Sequence, residues 1–445
     1  MRTIVEAQRY TASLWGIPKG LEKVDFRAMR YVLRIHYKCG TFLYNVVTGQ
    51  LVELEENEVE MFSRLPAKFT PIMEQLIEAH YLVPIDYNEQ KAVSSLRRVL
   101  WRLQESQKSK DITYYTILIT TACNARCYYC FEQGVQPATM SEKTADDVVS
   151  FIASHCGGKE ITIRWFGGEP TIAINRIDQI CEGLNKEGIS FSSLLTTNGY
   201  SLDEKSISKA KKLWKLKFVT VSIDGTENTT NRIKAFVSSG DNPYSVIMRN
   251  VGLFLEQKIS VGLRMNFNKE NYEDFPRLLK EAYTRFGNNP YLQVTPHHIN
   301  QCFGEEDDID IEEWYSDKLF DFYSLAQKSG LYRNRAKLPR LFYHMCEAAN
   351  DDAVTITPQG DLVSCGEQLG YDEVKGNLKQ GVINRAIVLD WKQFIDYDRC
   401  LCCELYPSCP SMLKCTGKDK CYYKKWKKSQ YVKEILRTIE LNNVQ

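Results

Sequence analysis

The alternation of short apolar strands with amphipathic helices between Ile112 and His298 is the feature that most limits the possible fold. We predict strands at Tyr114–Ile119, Ile161–Trp165, Ser193–Thr196, Phe218–Ile223, Val261–Asn266 and Tyr291–Thr295. The helices predicted between them are Glu142–His155, Ile174–Lys186, Asp203–Leu213, Ser245–Glu256 and Tyr272–Arg285. Repeated βα units build a parallel sheet, so the pattern predicts an α/β fold with a partial (β/α)6 TIM-like barrel. In such barrels the loops after the strands carry the active site.

Unusual residues lie at the end of every one of these strands or directly after it. In chain order they are Cys123-Asn-Ala-Arg-Cys127-Tyr-Tyr-Cys130, Gly167-Gly168-Glu169-Pro170, Thr197-Asn198-Gly199, Asp224-Gly225, Arg264 with Asn266, and His297 with His298. Each group alone is compatible with an ordinary turn or a structural polar residue. Because the strands are predicted to be parallel, all six groups should meet on one rim of the barrel, where they predict a site.

The three cysteines after the first strand have the spacing C-x3-C-x2-C. One tight loop can direct all three thiolates at a single iron-sulfur cluster. A four-iron, four-sulfur cluster normally takes four cysteines, so a three-cysteine loop leaves one iron open to an outside ligand. A zinc loop and a set of buried thiols are the alternatives for this spacing.

The cysteine loop and the Gly167–Pro170 stretch together resemble the radical S-adenosylmethionine enzymes, over about 113–298. The resemblance implies that Cys123, Cys127 and Cys130 hold a [4Fe-4S] cluster, and that the amino and carboxylate groups of S-adenosylmethionine chelate its open iron. The reduced cluster of that family cleaves the cofactor to methionine and a 5'-deoxyadenosyl radical. The protein then orients the cofactor and excludes side reactions.

The same resemblance implies that seven residues bind the cofactor. They are Tyr129, Gly168, Glu169, Ser222, Asp224, Arg264 and Asn266. Tyr129 would lie near the adenine, Gly168 would allow close backbone approach, and Glu169 would pair with the methionyl ammonium. Ser222 and Asp224 would lie beside the ribose. Arg264 and Asn266 would contact the carboxylate or ribose, with an ordinary structural role as the alternative.

A second group of cysteines resembles the C-terminal SPASM extension, which holds two auxiliary clusters. By their order, Cys346, Cys365 and Cys415 would hold an inner cluster, and Cys400, Cys403, Cys409 and Cys421 an outer one, giving three [4Fe-4S] clusters in all. Gly360 would lie in a hairpin turn at 357–361 that presents Cys365.

Two departures from the SPASM pattern affect these assignments. Five residues separate Cys409 from Cys415 where three are usual, and no cysteine lies shortly before Cys346. The inner cluster therefore has three obvious ligands. We expect an open iron that could bind a substrate thiol, and completion by the distant Cys302 is the alternative. Zinc is the alternative metal for the C-x2-C pair.

The N-terminal residues form a small unit before the barrel. Strand-like runs at 31–37, 41–45 and 51–54, helices at 56–64 and 70–79, and an extended 81–85 follow the order of a winged-helix fold. A linking helix is predicted at 92–109. A winged helix before a radical domain resembles the leader-recognition element of peptide-modifying enzymes, in which a precursor leader adds a strand to the sheet. Its five glutamates between Glu53 and Glu60 would repel nucleic acid.

Length and composition set the domain count and the compartment. A chain of 445 residues suggests roughly three domains. We divide it into 1–110 (winged-helix-like unit and linker), 111–300 (barrel), 301–340 (helical bridge) and 341–445 (cysteine-rich SPASM domain). Lys plus Arg (57) nearly balances Asp plus Glu (56), so neither nucleic acid nor a membrane is an expected partner. The start of the chain lacks the unbroken apolar run of a secretion signal, which predicts a cytoplasmic protein.

These features predict a maturase of ribosomally made peptides that closes a cross-link, a thioether being favoured over a carbon-carbon bond. A low-potential donor such as flavodoxin or ferredoxin would supply electrons. Formylglycine formation on a protein, peptide epimerisation and a non-catalytic zinc-rich adaptor are the alternatives. Glu367, two residues after Cys365, is the candidate general base, and an exposed loop carboxylate is its ordinary interpretation.

Overall fold

A curved ten-stranded sheet forms the centre of the protein, for which we used a computed structural model. The structure describes residues 1–7, 20–107, 111–238, 240–299, 309–333, 338–339, 341, 347–366, 373–392, 398–409 and 422–443. Six parallel strands build the barrel part of the sheet: β8 (Tyr114–Thr120), β9 (Ile161–Gly167), β10 (Phe191–Thr197), β11 (Leu216–Ile223), β12 (Ser260–Phe267) and β13 (Leu292–His298). All six predicted strands are therefore present, in sequential order.

Helices cover the outer face of this sheet. They are α4 (Glu142–His155), α5 (Ile174–Lys186), α6 (Glu204–Lys212), α7 (Glu227–Lys234), α8 (Pro243–Glu256) and α9 (Asp274–Phe286). Helix α4 begins after Ser141, whose side chain accepts a hydrogen bond from the Thr144 N–H and caps the first turn. Alternate strand residues such as Ile163 and Trp165 pack into the helix-facing core. The residues between them, including Arg164, therefore face the concave side.

The sheet continues beyond its first barrel strand, β8, with strands from the C-terminal part of the chain. Strand β14 (Ala353–Ile356) pairs in parallel with β8. Strands β15 (Asp361–Val363), β16 (Val374–Asn377) and β17 (Gly381–Val382) then extend it in antiparallel fashion. The predicted hairpin at 357–361 is present, and Gly360 has the positive φ of 90° that its turn requires. Strands β14, β15, β16 and β17 thus belong to the same sheet as the six barrel strands.

The N-terminal unit contains two small sheets, ordered β1-β5-β4-β3 and β6-β2-β7. Its elements are β1 (Arg2–Val5), β2 (Asp25–Ala28), β3 (Val32–Tyr37), β4 (Gly40–Asn45), β5 (Leu51–Leu54), α1 (Glu56–Ser63), β6 (Ala67–Lys68), α2 (Glu74–Glu78), β7 (Leu82–Pro84) and the linking helix α3 (Glu89–Gln107). Strands β1, β2 and the short β6 were not predicted. The winged-helix class of this unit stays a prediction.

The remaining helices are α10 (Ile309–Lys328), α11 (Arg385–Trp391), α12 (Asp398–Leu401) and α13 (Tyr422–Asn443). The N-terminal unit packs against α12 and α13. Ile435 and Ile439 of α13 join Leu33 and Ile35 of β3 in one apolar cluster. The Tyr31 hydroxyl donates to the Leu401 carbonyl oxygen at 2.9 Å. Across the described ranges, none of the helices is both long and apolar enough to cross a membrane.

Candidate functional site

The cysteine loop lies on the barrel rim directly after β8 and is fixed by backbone hydrogen bonds to its neighbours. The Arg126 N–H donates to the Lys234 carbonyl at 2.8 Å, and the Val237 N–H donates to the Asn124 carbonyl at 2.9 Å. On the other side, the Glu169 N–H donates to the Ala122 carbonyl at 2.9 Å. The loop is therefore held between the end of α7 and the segment after β9.

The three thiols of the loop are partly buried. Burial raises the pKa of Cys123 to about 11. Burial also raises the pKa of Cys127, where Lys234 opposes the shift, and that of Cys130, where the Glu132 N–H opposes it. Metal binding must therefore remove protons from these thiols as it forms thiolates.

The donor set of the loop suits an iron-sulfur cluster. Within the described ranges, no three His, Cys, Asp or Glu side chains converge on a point where one metal ion could sit. A cluster does not need such convergence, since each cysteine binds a different iron of the cube. Three cysteine sulfurs on one rim loop fit that requirement.

A glycine is required at Gly168 because the backbone there lies directly against the start of the cysteine loop. A methyl group added at Gly168 would lie 2.4 Å from the Ala122 carbonyl oxygen, well inside van der Waals contact. The Gly168 N–H also donates to the Thr120 carbonyl at 2.9 Å. The glycine therefore lets the second rim loop lie directly against the first.

Glu169 is 1% exposed and joins the ends of β9 and β10. Its carboxylate accepts hydrogen bonds from the Thr171 N–H at 3.0 Å, the Thr197 hydroxyl at 2.7 Å and the Asn198 N–H at 2.7 Å. Burial raises the pKa of Glu169, and these hydrogen bonds oppose the shift. The residue organises the rim, and its pairing with a cofactor ammonium stays a prediction.

A polar network connects four of the predicted cofactor residues below the cysteine loop. The Tyr129 hydroxyl donates to Asp224 Oδ1 and accepts from Asn266 Nδ2 at 2.8 Å. Lys234 Nζ lies 3.3 Å from Asp224 Oδ2 and donates to Ser222 Oγ at 2.9 Å. The structure thus brings Tyr129, Ser222, Asp224 and Asn266 together around one ammonium group.

Lys234 is a member of this network that the sequence analysis missed. Its side chain is 3% exposed and that of Asp224 is fully buried. Burial disfavours the charged ammonium, but Asp224, Tyr129 and Cys127 outweigh it and raise the pKa of Lys234. Its position ten residues after Asp224 was the available signal. A lysine in a polar stretch is more often a solvated surface residue, so the signal was weak.

Arg264 and His297 lie on the concave side, next to this network. In the sheet, Arg264 pairs in register with Ser222, and Asn266 pairs with His297. Desolvation by the surrounding barrel lowers the pKa of His297 to about 4, and the positive charge of Arg264 adds to the shift, although the residue is exposed at the mouth of the barrel. His297 is therefore neutral at pH 7 and can accept a hydrogen bond.

The described C-terminal cysteines occupy two places. Cys400, Cys403 and Cys409 lie in α12 and the turn after it, where the Cys403 N–H donates to the Cys400 carbonyl at 2.9 Å. Cys365 lies apart from them, beside the barrel. This position follows from the adjacent Gly366, where an added methyl group would be 3.5 Å from the side chains of Leu118 and Phe166. Cys302, Cys346, Cys415, Cys421 and Glu367 lie outside the described residues. Their roles stay predictions.

Comparison with known sequences finds a family model that matches the barrel segment. Residues 117–282 match the family model described as Radical SAM superfamily. The Fe-coproporphyrin III synthase of Methanosarcina barkeri is 26% identical over 176 residues, which are 40% of this chain and 42% of that protein. The radical SAM cyclopropyl synthase TigE of Paramaledivibacter caminithermalis is 19% identical, over 79% of this chain and 77% of that protein. The chain therefore spans under half of the first relative's length and about three quarters of the second's.

Solved structures show the same fold. The enzyme anSMEcpe, solved with bound AdoMet and the Cp18Cys peptide, superposes with a TM-score of 0.58 at 16% identity, covering 74% of this chain and 99% of that one. Streptococcus suis SuiB, bound to S-adenosylmethionine, superposes with a TM-score of 0.53 at 14% identity, covering 89% of this chain and 98% of that one. The segment of our chain matched by the family model contains the cysteine loop and the polar network. Residues 117–282 of this chain therefore match a radical SAM domain.

Proposed function

We propose that this enzyme modifies a ribosomally made precursor peptide and closes an intramolecular cross-link in it, with a thioether favoured over a carbon-carbon bond. The observation that carries the proposal is the buried network of Tyr129, Ser222, Asp224, Lys234 and Asn266 directly below a three-cysteine rim loop. Such an arrangement can seat a charged cofactor beside a cluster and keep water away from the reacting atoms.

Each part of the site has a role in this proposal. Cys123, Cys127 and Cys130 would hold the cluster, which when bound supplies the electron that cleaves S-adenosylmethionine. Gly168 sets how closely the second rim loop approaches the cysteine loop. Lys234 places a positive charge where an anionic group of the cofactor can be bound, and Asp224 fixes the position of that charge.

Two observations support a peptide substrate. In the comparison structures, anSMEcpe holds the Cp18Cys peptide and SuiB holds the precursor peptide SuiA. In our protein, β3 is an edge strand of the four-stranded N-terminal sheet. An extended leader could pair with its free backbone groups. Arg34 and His36 are exposed on β3, which would favour a leader with acidic residues.

The auxiliary cysteines bear on the kind of cross-link. If Cys346, Cys365 and Cys415 hold an inner cluster with one open iron, a substrate cysteine could bind there as a thiolate. The chemistry that such a cluster would supply is the binding of a substrate thiolate and the uptake of the one electron released when a thiolate and a carbon radical form a carbon-sulfur bond. Glu367 would serve as the base that takes the proton. This is the basis for favouring a thioether.

The test is mass spectrometry of the reconstituted enzyme after anaerobic incubation with a short peptide encoded beside its gene. The expected product has lost two hydrogens and contains one cysteine that no longer reacts with iodoacetamide. A loss of two hydrogens with all cysteines reactive would replace the thioether by a carbon-carbon link. An unchanged mass with deuterium uptake from solvent would indicate epimerisation instead. A colourless protein with stoichiometric zinc would overturn the proposal.

A further inference from the structure

Arg164 is an arginine inside the barrel to which the proposed chemistry gives no role. It lies on β9 between Ile163 and Trp165, and both of these pack into the helix-facing core. Arg164 therefore points to the concave side, about 10 Å along the strand from the rim residue Gly167. Its register partners in the sheet are Thr116 on β8 and Leu194 on β10.

The guanidinium of Arg164 is held in place by an aromatic ring. It lies 4.5 Å from the centre of the Phe166 ring. Phe166 in turn stacks on Phe131, the residue after the cysteine loop, with ring centres 6.3 Å apart. In the described part of the chain, no carboxylate lies within ion-pairing distance of Arg164, and Phe166 is the sole ring or polar contact of its side chain. Stacking of this kind leaves the donor edges of an arginine available.

Thr116 provides a second, independent observation at the same place. It is 3% exposed, and its hydroxyl has no hydrogen-bond partner among the described residues. A buried hydroxyl without a partner is destabilising, and a bound ligand or water is one arrangement that satisfies it. Because Thr116 and Arg164 pair in register, their side chains are neighbours on the concave face.

The two side chains together match the chemistry of a carboxylate. The planar guanidinium donates two parallel hydrogen bonds to carboxylate oxygens, and a hydroxyl can donate a third. Three buried carboxylates lie near the rim. Glu169 is hydrogen-bonded by Thr197 and Asn198, and Asp224 by Tyr129 and Lys234. Glu132 accepts no hydrogen bond in the described part of the chain and forms no ion pair there with Arg164. No described carboxylate is thus paired with Arg164, which points to a carboxylate ligand.

We infer that Arg164 and Thr116 form a subsite that binds a carboxylate of the peptide substrate. This deepens the proposed function and rests on it for the substrate being a peptide. The carboxylate would come either from an Asp or Glu side chain close to the modified residue or from the C-terminus of the peptide. Bound there, it would fix how far the peptide enters the barrel and hence which residue lies under the cofactor.

Three N-acetylated probes distinguish the sources: Ac-Gly-Gly-Glu-Gly-Gly-NH2, its Gln counterpart, and the Gln peptide with a free C-terminal carboxylate. Binding to the holoenzyme is measured by saturation-transfer NMR, without turnover, so the result is independent of whether a cross-link forms. We expect one carboxylate probe to bind at least about tenfold more tightly than the neutral probe, and Arg164→Gln to remove that preference. Preference for the Glu probe indicates a side-chain carboxylate, and preference for the free C-terminus indicates a terminal one.

Controls separate a subsite from a structural role. Arg164→Gln should keep the iron content and 5'-deoxyadenosine formation of the native enzyme. Should it lose iron, Thr116→Val keeps the shape of the side chain and should weaken carboxylate binding about threefold. Arg285→Gln, on the outer helix α9, should change nothing. Equal binding of charged and neutral probes, no binding at all, or an unchanged preference in both site variants would overturn the inference.

Discussion

The two cysteine-bearing regions are held in place by different parts of the protein. The rim loop from Cys123 to Cys130 is held to the barrel itself by backbone hydrogen bonds, which the carbonyl groups of Lys234 and of Ala122, just before the loop, accept. The segment from Cys400 to Cys409 is bonded to the N-terminal unit and its linking helix, through Tyr31 and Arg97. The first region therefore depends on the barrel and the second on the unit proposed to bind a leader. Radical generation and peptide delivery should be separable by mutation.

The largest effect should follow from breaking the buried Asp224–Lys234 pair below the rim loop. Asp224→Asn leaves the Lys234 ammonium buried without its counter-charge, which should lower the free energy of unfolding by about 3 to 5 kcal/mol. Denaturant unfolding of the apoprotein measures this. The double variant Asp224→Asn/Lys234→Met should recover part of the loss. If Asp224→Asn alone is as stable as the native protein, the network does not support the loop.

The C-terminal region should respond to Arg97 on α3. Arg97 is 1% exposed, donates to the Tyr406 carbonyl, and donates to the Cys409 carbonyl at 2.9 Å. Arg97→Met should destabilise this turn by about 3 kcal/mol and reduce auxiliary-cluster iron, while cofactor cleavage at the rim loop persists. The exposed Arg102→Met on the same helix is the matched control. Loss of cleavage together with auxiliary iron would contradict the separation of the two regions.

A smaller effect is expected at the contact between two rim loops. Gly168→Ala places a methyl 2.4 Å from the Ala122 carbonyl and must displace the cysteine loop, at a cost of about 1 to 3 kcal/mol. We expect lower iron incorporation at the rim loop, measured by iron analysis and EPR of the reduced protein. Gly252→Ala in α8, whose added methyl would meet Phe286 at an ordinary 3.5 Å, should incorporate iron normally. Equal incorporation by both variants would contradict the tight contact.

Much of the barrel could be predicted from sequence because its elements have clear periodicity. The predicted α4 and α5 match the observed bounds at both ends. Helix α7 was missed because Glu227-Asn-Thr-Thr-Asn-Arg-Ile-Lys234 has few apolar residues and several weak helix formers. Lys234, the last residue of this helix, was therefore missed as a site residue. Strand β14 was missed as part of the barrel because its partner β8 lies more than 230 residues earlier, and local patterns do not encode such pairing.

Substitution of Lys375 on β16 tests the part of the central sheet that joins the barrel to the C-terminal region. It is 4% exposed, and burial lowers its pKa to about 8. Between about pH 8 and 10.5 the unfolded chain binds more protons at this site than the folded chain, so its contribution to stability rises with pH. Lys375→Met should therefore be more stable than the native protein at pH 7.5 by at least about 1 kcal/mol. The gain should shrink towards pH 10.5.

The exposed Lys379→Met, near the same turn, is the control and should have no pH-dependent difference from the native protein. Thermal unfolding midpoints at several pH values give the comparison. A constant difference between Lys375→Met and the native protein across pH 7.5 to 10.5 would contradict the buried ammonium.

The central claim is that the rim loop generates the radical. The direct measurement is chromatographic detection of 5'-deoxyadenosine after the reconstituted protein is mixed with S-adenosylmethionine and dithionite without oxygen. The native protein should form it and contain about a dozen irons, whereas the variant with Cys123, Cys127 and Cys130 all changed to Ala should form none and keep about eight. Equal formation of 5'-deoxyadenosine by the triple variant would contradict the account.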